Sequence, residues 1–196
     1  LINKEDYDVE EFSTYISQDP ALAFQFLRMV NSIRVGVKNE IKTIKQAAVL
    51  LGQKEVKKWI STAVTNVLTK DKPSEVSRLA LIRAKFSENL TNIFGFKKEK
   101  DSLFLMGLFS VLDIVLDVPM ENALNTVGID DEIREALINK SGRFAPIYNF
   151  LLAYEHGDWE EISRFLIINE MNVDVIYEQF LDAVLWYSEL IKWNID

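Results

Sequence analysis

The chain has 196 residues, 48% of them hydrophobic and 27% charged, with a formal net charge of −8. That length can bury one sizeable core, or one core with a smaller appended lobe, and the apolar share excludes disorder as the main state. There is no cysteine, which excludes disulfides and thiolate metal sites and suits a reducing cytosol.

The first residues, Leu1-Ile2-Asn3-Lys4, show neither an initiator Met nor a signal peptide, so a piece of a longer protein is expected. Helical periodicity then governs almost everything. Asp19-Pro20 reads as an N-cap followed by the proline favoured at the first helical position. Thr43 with Gln46 reads as a capping box, and Gly52 stands where that helix should stop. Val56, Trp59, Ile60, Ala63, Val64, Val67 and Leu68 follow the i, i+3, i+4, i+7 rule, with Lys54, Lys57 and Lys58 opening the polar side. A further helix runs from Ser74 to about Phe94 and ends at Gly95.

The apolar run Ser102 to Val118 is interrupted by Asp113 and falls short of the roughly 20 apolar residues of a membrane span. It is expected to be a core helix, Leu103 to Leu116, surrounded by neighbours, with no membrane insertion. Short helices follow from Pro119 to near Gly128 and from Asp130 or Asp131 to before Gly142. Three more are expected over about Ala145 to Tyr154, Asp158 to Ile168 and Val173 to Trp193. The last carries one stripe at Val173, Ile176, Phe180, Val184, Tyr187 and Ile191, and a second at Trp186, Leu190 and Trp193. One stripe packs on the body; the other should meet another helix, domain or subunit. No strand alternation, linker or internal repeat is visible. The expected fold class is all-α, one domain.

Charge is unevenly spread. From Arg34 to Ile60 there are seven basic residues against Glu40 and Glu55, whereas from Glu155 onward ten acidic residues face Arg164 and Lys192. The basic patch could steer a partner, or be an ordinary solvated helix face. Nucleic acid is disfavoured, because the patch lacks interleaved exposed aromatics and the chain is acidic overall. Neither a P-loop nor a G-x-G-x-x-G motif occurs, and one histidine supports no Ser/His/Asp set.

Ile16-Ser17-Gln18-Asp19-Pro20-Ala21-Leu22, Phe26-Leu27-Arg28-Met29-Val30-Asn31-Ser32, then Ile41, Ile44, Ala47 and Leu50-Leu51-Gly52 together resemble the signature of the HDOD family. That family is a branch of the HD superfamily, which includes the HD-GYP phosphodiesterases. Leu103 to Met120 and Tyr154-Glu155-His156-Gly157-Asp158-Trp159 resemble the HDOD half of bacterial EAL–HDOD proteins. The resemblance implies an HDOD core over about residues 6–128 with a helical extension, about 129–196, packed on it.

Active HD enzymes hold divalent metals with several histidines and an adjacent His-Asp pair. By the resemblance, Ser110-Val111 replaces that pair, and the chain's single histidine, His156, cannot build the cluster. The expectation is a non-catalytic, cytoplasmic regulatory and interaction module without cofactor or metal, with Ser110, Val111 and Asp113 as its vestigial site. Asp113 and Asp117, four apart on one helical face, read either as a remnant ligand pair or as carboxylates paired with nearby cations. His156 reads as an ordinary loop residue or a pH sensor. The expected partner is another protein, or a preceding EAL-type domain linking the chain to cyclic-di-GMP signalling. Candidate docking residues are Lys54, Lys57 and Lys58, or Trp186, Leu190 and Trp193. The alternatives are a divergent phosphohydrolase using carboxylates, and a sensor of a nucleotide or other anion in the vestigial cleft.

Overall fold

The computed structural model describes residues 8–33, 41–52, 56, 75–125 and 129–193, with side chains for all of these except residues 29, 31–33 and 190–193. Eleven helices lie among the described residues, and the one extended pairing there is an isolated parallel bridge between Ile41 and Ile129. The fold is all-α. No described helix is long and apolar enough to cross a membrane. The helices gather into two compact units, one of residues 1–78 and 111–130, the other of residues 79–110 and 131–196. Segment 79–110 therefore groups with the C-terminal helices.

The first unit contains α1 (Val9–Ile16), α2 (Pro20–Ile33), α3 (Ile44–Leu51), α6 (Leu112–Leu116) and α7 (Met120–Asn125). The starts of α1, α2 and α3 are set by side-chain caps, which satisfy N–H groups that the helix leaves orphaned. Asp8 Oδ1 accepts from the Glu10 N–H, and Asp19 Oδ1 accepts from the N–H groups of Ala21 and Leu22 at 2.7 and 3.2 Å. Thr43 Oγ1 accepts from the Gln46 N–H, while Gln46 Oε1 accepts from the Lys42 N–H rather than that of Thr43. The capping box thus closes one residue further out than its usual form. Gly52, at φ +80°, ends α3 in a conformation that a Cβ would strain. Phe12 and Phe26 meet edge to face at 5.0 Å and join Ile16, Leu27, Val30, Ile44 and Ala47 in the buried layer between these helices.

The second unit holds most of α4 (Glu75–Leu90), then α5 (Lys100–Phe109), α8 (Asp131–Asn139), α9 (Ala145–His156), α10 (Trp159–Ile168) and α11 (Val173–Trp193). An aromatic seam binds it. Phe165 stacks on Phe94 at 4.6 Å and lies 4.6 Å from Phe150, while Phe180 of α11 meets Phe86 and Tyr154 at 5.4 and 5.2 Å. Such ring pairs contribute beyond the apolar area they bury.

Three sequence expectations need correction here. The helix after Ser74 ends at Leu90 rather than Phe94, because the Thr91 hydroxyl donates to the Glu88 carbonyl and the chain turns through Gly95. The helix expected over 103–116 is two helices. The Ser110 N–H and hydroxyl both donate to the Gly107 carbonyl, so the i→i−4 ladder stops, and α6 begins only at Leu112. Asp117 is not on a shared helical face with Asp113; it caps α6 from the left-handed region at φ 53°.

Candidate functional site

The resemblance sets Ser110-Val111 against the His-Asp pair of active HD enzymes, and the local geometry of Ser110 is set by a glycine. Gly107 brings α5 into backbone contact with α4: a Cβ there would lie 2.5 Å from the Arg83 carbonyl and 2.6 Å from the Ala84 Cα. Only glycine permits that approach. The crossing carries Ser110, at the end of α5, alongside Arg83.

Arg83 Nη1 donates to Ser110 Oγ at 3.1 Å and to the Ser110 carbonyl at 3.4 Å. The Ser110 hydroxyl proton goes to the Gly107 carbonyl at 2.7 Å. On its other side, Arg83 grips the Glu155 carboxylate with both Nε and Nη2, the shortest contact being 2.7 Å. That is the bidentate fork geometry in which guanidinium pairs are strongest. The side chains of Arg83 and Glu155 are only 12% and 20% exposed. Serine, arginine and glutamate form one polar cluster in the second unit, running from buried Ser110 to Glu155 at its surface.

This arrangement does not fit a divalent cation. Such a site needs lone pairs from imidazoles or carboxylates turned inward. Here the serine proton is committed, a guanidinium occupies the adjacent position, and the carboxylate is taken up by that guanidinium. Val111 is fully buried and apolar. Asp113 lies half-buried in the first turn of α6, in the other unit, and is not one of this cluster's hydrogen-bonding groups. Among the described residues no group of three or more His, Cys, Asp or Glu side chains is placed to hold a metal ion.

The remaining candidates are distributed as follows. His156 is the last residue of α9, exposed, with Gly157 as the left-handed cap after it, so it belongs to a helix end rather than a loop. Trp186 is not a free docking residue: it is half-buried and packs edge to face on Phe104 at 6.0 Å. The side chains of Leu190 and Trp193 lie outside the described residues, as do Lys54, Lys57 and Lys58 and most of their expected helix. Of the basic patch, Lys42 pairs with buried Asp130 at 3.3 Å and Lys45 with Glu10, so both are engaged in internal ion pairs.

Sequence reading missed Arg83 and Glu155. A signal for Arg83 was present: it stands three residues after Ala80 and four before Ser87, both fully buried, so a charge interrupts an otherwise inward face. Nothing in the sequence linked it to Glu155, 72 positions away.

The HDOD domain profile matches residues 1–139 of this all-α chain. The chain belongs to the HDOD family. Over 94% of its length it is 26% identical to the cyclic di-GMP phosphodiesterase CdgJ of Vibrio cholerae, covering 43% of that protein. It is 28% identical over 97% of its length to the uncharacterized protein YuxH of Bacillus subtilis, covering 46% of it. The chain thus spans less than half the length of these relatives. Among solved structures, the MmoQ response regulator of Methylococcus capsulatus superposes with a TM-score of 0.69, covering 91% of each chain at 15% identity, which establishes a shared fold.

Proposed function

We propose that this chain is a non-catalytic regulatory and docking module of a cytoplasmic signalling protein. One observation carries the reading: the Ser110 position is filled by the Arg83–Ser110–Glu155 cluster, whose polar groups are spent on one another. A hydrolytic metal site needs open coordination positions and an activated water, and this cluster offers neither.

The similarity to CdgJ supports a link to cyclic-di-GMP signalling. Because the match covers less than half of that protein, we assign the phosphodiesterase activity in its name to the part outside the match. An EAL-type domain is the natural candidate for that part, with this module regulating it or a separate protein by docking. Metal analysis of protein purified without chelator tests the proposal. No stoichiometric manganese, iron, zinc or magnesium is expected. A stoichiometric metal that disappears in Asp113→Ala would restore the carboxylate-based phosphohydrolase.

A further inference from the structure

α11 buries one face through Ile176, Ala183 and Tyr187, which recur at helical spacing and are almost inaccessible. Its opposite side is not polar throughout. Tyr177, Leu181 and Leu185, each four residues from the next, are 56%, 40% and 55% exposed. Positions i and i+4 stack along one side of a helix, so these three form a continuous apolar stripe facing water. Isolated exposed leucines need no explanation, but a stripe running over more than two turns does.

The charge beside the stripe indicates what covers it. At 100° per residue, Glu178 and Glu189 fall on the stripe's outer flank and Asp174 lies in line with its N-terminal end, and all three are exposed. From Phe165 to Ile191 the sequence contains no Lys or Arg, but it contains Glu170, Asp174, Glu178, Asp182 and Glu189. A second copy docked stripe to stripe by a twofold axis would set these carboxylates against each other. Nucleic acid and anionic lipid are repelled by the same field. A helix with an apolar face bordered by lysines or arginines satisfies both features.

We propose that the Tyr177–Leu181–Leu185 stripe docks a cationic amphipathic helix of another protein. This names the partner chemistry of the docking role above and rests on that reading. The probe is a fluorescein-labelled Leu/Lys amphipathic peptide of about 18 residues, or five turns, with a Leu/Glu version as control. Binding is read by anisotropy against the 196-residue chain, the triple variant Tyr177→Ser/Leu181→Ser/Leu185→Ser, and the triple variant Asp174→Asn/Glu178→Gln/Glu189→Gln. The lysine peptide should bind the parent chain and lose at least about tenfold in affinity in either variant, as for truncation of interface anchors. The glutamate peptide should not bind.

Because all six positions are exposed, both variants should melt close to the parent. A variant that does not is replaced by Leu181→Arg alone, with the same expectation. Equal affinity in parent and apolar variant, or binding of the glutamate peptide, overturns the assignment. A dimer in sedimentation equilibrium that Leu181→Arg dissolves would instead give the stripe to a second copy. Pelleting with phosphatidylglycerol vesicles that Leu181→Arg abolishes would give it to a membrane. Any of these results leaves the non-catalytic reading standing, whereas a catalytic metal would sink that reading and leave the peptide result intact.

Discussion

Two arginine clusters in the second unit use the same chemistry in opposite settings. Arg83 joins Ser110 and Glu155 with its side chain only 12% exposed. Arg143 joins Glu99 and Glu132 while lying over the rings of Phe96 and Phe144, with its side chain 47% exposed. A partly buried pair cannot lose one partner without stranding the other charge, whereas an exposed one is rescued by water. What differs most is the consequence of failure. Arg83 therefore fixes the corner at Ser110, and Arg143 only ties down a surface.

The largest effect should come from Arg83→Met. It leaves the Glu155 carboxylate without its cation, and because Glu155 still reaches solvent the loss should be about 1.5–3 kcal/mol, as for a hydrogen bond to a charged group. Adding Glu155→Leu should recover most of it, because replacing both partners by apolar groups is often neutral. Urea midpoints of the two variants check this. A double variant no more stable than Arg83→Met would show that the cluster's value is not the pair.

Gly107→Ala should cost less, about 1–3 kcal/mol for overpacking, since the clash is with backbone rather than a flexible side chain. Its more informative effect is to push α5 from α4, so combining it with Arg83→Met should be clearly less than additive. Strict additivity in thermal unfolding would separate the glycine contact from the cluster.

Arg143→Met should have the smallest effect, and one that added salt erases, because exposed pairs are screened. Its pH dependence sharpens the contrast. The hydrogen bond from Arg143 is the chief reason the Glu99 carboxyl titrates below its ordinary value. A depressed folded-state pKa gives stability that is full above the ordinary glutamate range and is lost as pH falls through the folded value. The difference between parent and Arg143→Met should therefore shrink on acidification. A difference that grew toward low pH would reverse this assignment.

The same contrast explains what could be read from sequence. Local signals were legible: Asp19-Pro20, Thr43 with Gln46, and Gly52 act through neighbours within a few residues, and the last helix has the limits its periodicity implies. The break at Ser110 was hidden because the surrounding apolar run continues helical spacing through it, while the Ser110 N–H and hydroxyl both turn to the Gly107 carbonyl and end the helix. Arg83 with Glu155 was hidden because tertiary contact alone unites positions so far apart in sequence. On α11, periodicity marked two apolar stripes without saying which faces inward. Trp186 packs on Phe104, and the exposed Tyr177, Leu181 and Leu185 belong to neither of those stripes.

We propose that the Ser110 corner is a structural lock in place of a hydrolytic centre. Incubating the purified chain with cyclic di-GMP and added Mn²⁺ or Mg²⁺, and following the linear product by chromatography, tests it most directly. No turnover above the protein-free control is predicted, in the parent or in Asp113→Ala. Turnover by the parent that vanishes in Asp113→Ala would contradict the claim.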